Sequence, residues 1–149
     1  MRPYIGVILV MVLLILPMAY ADIPYQPGDP IYQISDFIRS AHLQFAVALI
    51  LTITIEAIVL FLILHKERKA SDIAVNAVVA STLTLPFVWF VFGGLALPWA
   101  VKTGMAEGFA VLVEAGFYKL AFRGMALEKA LMASFICNAA SFIIGLIIL

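Results

Sequence analysis

Long apolar runs make up most of this chain, and the few polar positions that interrupt them set its plan. Over residues 41–64 the run is nearly unbroken and carries one interior charge, Glu56. Its length matches the roughly 20 helical residues that cross a hydrocarbon core of about 30 Å. A charged cluster at residues 65–69, holding Lys66, Arg68 and Lys69, closes it. A second run follows Asp72 and reaches residue 92, where Gly93, Gly94 and Pro98 break the pattern. A third run covers residues 103–122 and a fourth residues 127–149, with Arg123 and Lys129 at their junction. The pattern predicts an all-α integral membrane protein with four transmembrane helices. They form a duplicated helical hairpin, residues 41–97 making the first transmembrane hairpin and residues 98–149 the second.

The front of the chain reads differently. Arg2, an apolar stretch over residues 5–16, Pro17, and Ala19-Tyr20-Ala21 before Asp22 have the layout of a cleavable signal peptide, residues 1–21. Pro24, Pro27 and Pro30 then fall on one side of an extended segment. Ile31, Ile34, Phe37, Ile38 and Ala41 recur at helical spacing with polar residues between them. Residues 22–40 are thus expected to form an extracytoplasmic arm ending in a short helix on the membrane surface.

Composition strengthens the membrane reading. Hydrophobic residues are 65% of the chain and charged residues 12%, with a mean hydropathy of +1.14, outside the range of soluble globular domains. Nine basic and nine acidic residues balance, so no polyanion-binding surface is implied and nucleic acid is excluded as a partner. The lone cysteine, Cys137, cannot form an internal disulfide and lies in an apolar helix pattern as a small packing residue. Lys66, Arg68, Lys69, Lys119, Arg123 and Lys129 fall on one side of the predicted membrane, against Arg39 and Lys102 on the other. The positive-inside rule then makes both hairpin links cytoplasmic, in agreement with an extracytoplasmic mature N-terminus. The expected location is the plasma membrane, as a multi-pass protein. Trp89 and Trp99 are placed at the outer boundary, where amphipathic rings favour the headgroup region.

Aligning Glu56 with Glu114 sets Ser81 opposite Asn138 and Thr84 opposite Ser141, with one residue gained or lost in a link. Copies that each contain two spans insert with the same orientation and are related by an axis along the membrane normal. Depth can be counted as well. Glu56 lies ten residues before Lys66, Glu114 nine before Arg123, Asn138 ten after Glu128 and Ser81 nine after Asp72. At about 1.5 Å per residue, all four are about 14 to 15 Å from the cytoplasmic boundary, near the midplane.

At 100° per residue, Ser134, Asn138 and Ser141 make a narrow polar stripe, and Glu107 shares a stripe with Glu114. Small residues beside these stripes, Gly104, Gly108 and Ala115 on the third helix and Ala133 and Cys137 on the fourth, suit close helix packing in lipid. A glutamate at the midplane costs about 3 kcal/mol to insert and needs partners. The Asn138 amide can donate to a carboxylate, and Thr52, one turn before Glu56, and Thr84 can add hydroxyls.

Three function classes fit these residues. In the first, Glu56, Glu114, Asn138 and the hydroxyls form a polar network that fixes register in a scaffold or accessory subunit. The alternative is a proton- or cation-coupled transporter using Glu56 and Glu114. The second alternative is a membrane enzyme with paired carboxylates acting on a lipid or peptide. His42 and His65 stand at opposite ends of one helix, and the chain has no H-E-x-x-H motif or Cys/His cluster. No catalytic residue, metal site or cofactor is therefore called for. The expected partners are the lipid bilayer and a second copy of the chain or another membrane protein.

Overall fold

A computed structural model describes the backbone of residues 30–148 and the side chains of residues 42–148. Four α-helices follow in order: α1 Pro30–Leu64, α2 Ala70–Pro86, α3 Trp99–Ala121 and α4 Leu127–Ile148. A π-helical segment, Phe87–Phe92, continues α2. No strand occurs among the described residues. Three stretches are long and apolar enough to cross a membrane: His42–Leu64, Ala70–Phe92 and Leu127–Ile148. The protein is therefore all-helical and of membrane type. Helix α3 has a comparable length, 23 residues, but Lys102, Glu107, Glu114 and Lys119 set it apart in composition.

The expected signal peptide and the arm over residues 22–29 lie outside the described residues. The helix assignment begins at Pro30 and shows no break near residue 40, where a separate surface helix was expected to end. Pro at a helix start is well placed, since its missing N–H is one that the first turn leaves unpaired. The chain divides into two compact units, residues 1–47 and Ala48–Leu149. In the first, the described residues are the leading part of α1; every feature below belongs to the second.

Helix α2 starts after Lys69, whose extended backbone ends the preceding link, and Asp72 complements the helix dipole in its first turn. Helix α3 ends at Ala121, Phe122 leaves the helical conformation, and Gly124 turns the chain at φ 79°, a left-handed conformation that glycine adopts without strain. The links after α1 and α3 lie together. Arg68 donates from Nη2 to the Arg123 carbonyl (2.6 Å) and its guanidinium covers the Phe122 ring at 5.6 Å. Lys129 pairs with Glu67, and this hydrogen bond and charge hold the exposed Glu67 carboxyl below its usual range.

Helices α3 and α4 pack most closely, with α2 against α3. The core between the helices joins Leu60, Leu64, Ile73, Tyr118, Phe122 and Met125 to a set of alanines and Cys137. Exposed Ile58, Leu62, Leu120, Phe135 and Ile147 point outward, as lipid-facing side chains would. The buried positions of α2 are Ile73, Asn76, Ala77, Ala80, Ser81 and Thr84. Those of α4 are Ala130, Ala133, Ser134, Cys137, Asn138 and Ser141. A single shift of 57 positions carries the whole first set onto the second, from Ile73 onto Ala130 to Thr84 onto Ser141.

One packing expectation is corrected. Ala115, Ala133 and Cys137 are buried as small contact residues, but Gly104 and Gly108 are exposed. A Cβ added at either would meet nothing within 4 Å. The buried row of α3 is Ala106, Ala110 and Glu114, and a residue two positions from that row is turned about 200° away from it.

The π segment follows from Pro86. Proline offers no N–H to the helical ladder and its ring crowds the preceding turn, so hydrogen bonding changes register. Phe87 bonds back to the Thr84 carbonyl, and Gly93 closes the segment with a five-residue bond to Val88 O at 3.0 Å. Here glycine is required by contact, since a Cβ at residue 93 would lie 2.1 Å from the Trp89 carbonyl oxygen. Gly93→Ala should therefore destabilise the protein by about 2 kcal/mol or more, whereas Gly104→Ala should change stability by less than about 0.5 kcal/mol. Thermal melting of both variants in detergent checks this, and equal melting temperatures would contradict it.

Candidate functional site

Each of the four helices brings polar side chains to one interior layer. Helix α1 contributes Glu56 and α3 Glu114, each 1% exposed. Helix α2 contributes Ser81 and Thr84, and α4 contributes Ser134, Asn138 and Ser141, all buried. Helical periodicity explains the pairing. Ser81 and Thr84 are three residues apart on α2, as are Asn138 and Ser141 on α4, so each helix points two donors into the same space from successive turns.

The bonds are crossed. Ser81 Oγ donates to Glu56 Oε2 at 2.6 Å and Ser141 Oγ to Glu56 Oε1 at 3.1 Å. Thr84 Oγ1 donates to Glu114 Oε1 at 2.8 Å, while Asn138 Nδ2 at 2.6 Å and Ser134 Oγ at 3.3 Å reach Glu114 Oε2. Each of α2 and α4 thus serves both glutamates. Secondary contacts stiffen α4: Asn138 Nδ2 also reaches Ser134 O at 3.0 Å, and Ser134 Oγ reaches Val111 O at 3.0 Å on α3. The Cys137 thiol lies 3.7 Å from the Glu56 carbonyl oxygen.

Every donor in this layer is a neutral hydroxyl or amide. The ion pair found among the described residues is Lys129 with Glu67, at the link end of the molecule. Interhelical hydrogen bonds within membranes contribute about 0.6 to 2 kcal/mol each. Taking an ionised carboxylate out of water costs several kcal/mol unless an opposite charge accompanies it. The network therefore orients two carboxyl groups without supplying the positive charge that would balance them.

The two glutamates are equally buried but differ in their relation to a cavity. A cavity of about 400 Å³ has Glu56, Thr84, Asn138 and Ser141 in its wall, with Thr52 and Glu107 beside them. It extends toward Gly93, Trp99 and Lys102, the end of the molecule opposite the Arg68 link. Glu114 lies outside that wall, enclosed by its three donors. On its link side stand Tyr118, fully buried with a hydroxyl that has no hydrogen-bond partner, and Phe122. The Phe117, Tyr118 and Phe122 rings are in contact, with centroid separations of 6.2 and 6.0 Å, and Arg68 covers the last of them.

The candidate residues thus separate into three groups. Glu56, Glu114, Ser81, Thr84, Ser134, Asn138 and Ser141 form the bonded layer. Thr52 and Glu107 line the cavity. Gly104 and Gly108 take no part. Sequence reasoning missed the cavity wall formed by Trp89, Phe92 and Lys102, because Trp89 and Trp99 read as boundary aromatics. It also missed Tyr118, whose only signal is its place one turn after Glu114.

No known protein family, curated protein or solved structure matches this chain.

Asn138 offers the shortest amide bond to Glu114 and ties it to Ser134, whereas Ser141 makes one longer bond to Glu56. Asn138→Leu should accordingly cost about 2 kcal/mol and Ser141→Ala less than about 1 kcal/mol. Detergent melting curves compare them directly; equal losses would remove Asn138 as the main partner of Glu114.

Proposed function

We propose that this protein is a membrane carrier in which Glu56 takes a proton or another small cation from the cavity and Glu114 is the second, enclosed carboxyl of the pathway. The observation that carries this reading is the unequal placement of two similarly bonded and equally buried glutamates: Glu56 forms part of a cavity wall and Glu114 does not. A layer that only fixed helix register would have no use for a cavity ending on a carboxyl whose bonded donors are all neutral. Intramembrane carboxyls facing a cavity are the usual means by which helical carriers hold protons and cations.

In this reading α3 is the fourth membrane-spanning helix, since its charges turn to the cavity, the layer and the links. The chain is a duplicated hairpin. The shared 57-position shift of buried residues supports this, and so does the bonding itself, because Ser81 on Glu56 corresponds to Asn138 on Glu114. Thr84 on Glu114 likewise corresponds to Ser141 on Glu56. Such halves, related by an axis along the membrane normal, can rock against each other about a fixed site. With a cleaved signal peptide and cytoplasmic links, the cavity opens outward across the plasma membrane and the Tyr118–Phe122–Arg68 stack closes the inner end.

The scaffold reading keeps one observation in its favour: Glu114, with donors from Thr84, Ser134 and Asn138, is bonded like a structural lock.

Purified protein in liposomes, with an imposed membrane potential and an internal pH indicator, tests the proposal. Wild type should admit protons at least about tenfold faster than empty vesicles, and Glu56→Gln with Glu114→Gln should return the rate to that of empty vesicles. Proton entry that survives both substitutions would overturn the carrier reading.

A further inference from the structure

The cavity has a shape and a lining of its own, and these narrow the ligand beyond the statement that it is a cation. The wall follows α3 from Trp99 to Ala110 and α1 from Ala48 to Glu56. At about 1.5 Å per residue, that is a depth of about 12 to 17 Å. A volume of about 400 Å³ is in the range of sites for small organic molecules and far exceeds the shell of an inorganic ion. A hard metal cation needs about six or more oxygen ligands gathered around one point. Among the described residues no group of three His, Cys, Asp or Glu side chains is placed to hold a metal.

The lining is graded along this depth. Glu56, Ser141 and Asn138 are at the deep end, where both Glu56 oxygens are already oriented by Ser81 and Ser141. Above them the wall holds Val88, Trp89 and Phe92 of the π segment and Trp99 of α3, with Thr103 and Glu107 as its polar members on α3. The segment exists because Pro86 disrupts the α ladder and Gly93 admits the wider turn, so the aromatic wall is built by those two residues. Aromatic faces attract cations through their quadrupoles and also bury apolar surface. The charged groups of the wall are the carboxyls of Glu56 and Glu107 and the ammonium of Lys102, the last bonded to the Gly93 carbonyl at 3.3 Å near the mouth. Two acidic groups and one basic group thus line the wall.

We infer that the cavity binds a monovalent organic cation, an amine with an apolar or aromatic body, whose ammonium meets Glu56 and whose body lies along Trp89, Phe92 and Trp99. This rests on the carrier reading and names its substrate class. An anion would meet the Glu56 carboxyl, and a neutral apolar molecule would add nothing to the two neutral donors that carboxyl already has.

Protection from a hydrophobic carbodiimide, which attacks carboxyl groups reachable from an apolar phase, tests the inference on the full chain in liposomes. Mass spectrometry reads labelling at Glu56 and Glu114 with N,N-dimethylbenzylamine present as the cation probe, a tertiary amine that forms no stable amide with the activated acid. Isobutylbenzene serves as its neutral counterpart of the same shape. The expected result is labelling of Glu56 at least tenfold over Glu114, slowed fivefold or more by saturating amine and less than twofold by isobutylbenzene. Labelling of Glu56 that the two compounds slow equally, or that neither slows, overturns the organic-cation assignment and leaves the carboxyl site standing. Absence of labelling at Glu56 overturns both, since a carboxyl that receives a ligand from the cavity must be reachable from it.

Discussion

Burial of two carboxyl groups among neutral donors is the constraint on which the rest of this structure depends. A carboxylate inside an apolar bundle is tolerated only where its oxygens are bonded, and Glu56 and Glu114 obtain those bonds from helices α2 and α4. Because each donor helix serves both glutamates, neither helix pair can shift by a turn without exposing one carboxyl to apolar surroundings. The small residues around the layer follow from this. Ala77, Ala80, Ala115, Ala133 and Cys137 let the backbones approach closely enough for side chains as short as serine to span the gap.

The same constraint is met differently by the two glutamates. Glu114, with three donors and no share in the cavity wall, holds α3 to α2 and α4. Glu56, with two donors, is held in position with a place in the wall. Beyond Glu114 the orphan Tyr118 hydroxyl and the Phe122 ring under Arg68 fill the path toward the links. A cavity thus adjoins one side of the polar layer and packed aromatic rings the other, which is what the proposed carrier reading uses.

Much of the layer was legible in the sequence, because depth and helical phase are simple functions of residue number. Counting from the charged links brought Glu56, Ser81, Glu114 and Asn138 to one level, and the 100° periodicity put Ser134, Asn138 and Ser141 on one stripe. Those arguments hold whenever the helices are regular. They fail where direction or regularity is lost. The Gly104 and Gly108 pair has the spacing of a packing motif, but small residues carry no sign of which neighbour they face, and the row through Ala106 and Ala110 was buried instead. The cavity was illegible for a related reason. It depends on the π segment after Pro86, and an α-helical projection places Val88, Trp89 and Phe92 incorrectly beyond that point. The surface helix expected before residue 41 merged into α1, since nothing in residues 38–44 breaks a helix.

The central claim is that the cavity has Glu56 in its wall and leaves Glu114, in the same layer, out of it. Single cysteines introduced one at a time on a Cys137→Ala background, and probed in membranes with a charged thiol reagent, measure this most directly. Thr52→Cys and Ala106→Cys, on residues of the cavity wall, should react, and Ala115→Cys, beside Glu114 and 1% exposed, should remain unmodified. Reaction at all three, or at none, would contradict a layer open at one glutamate and closed at the other.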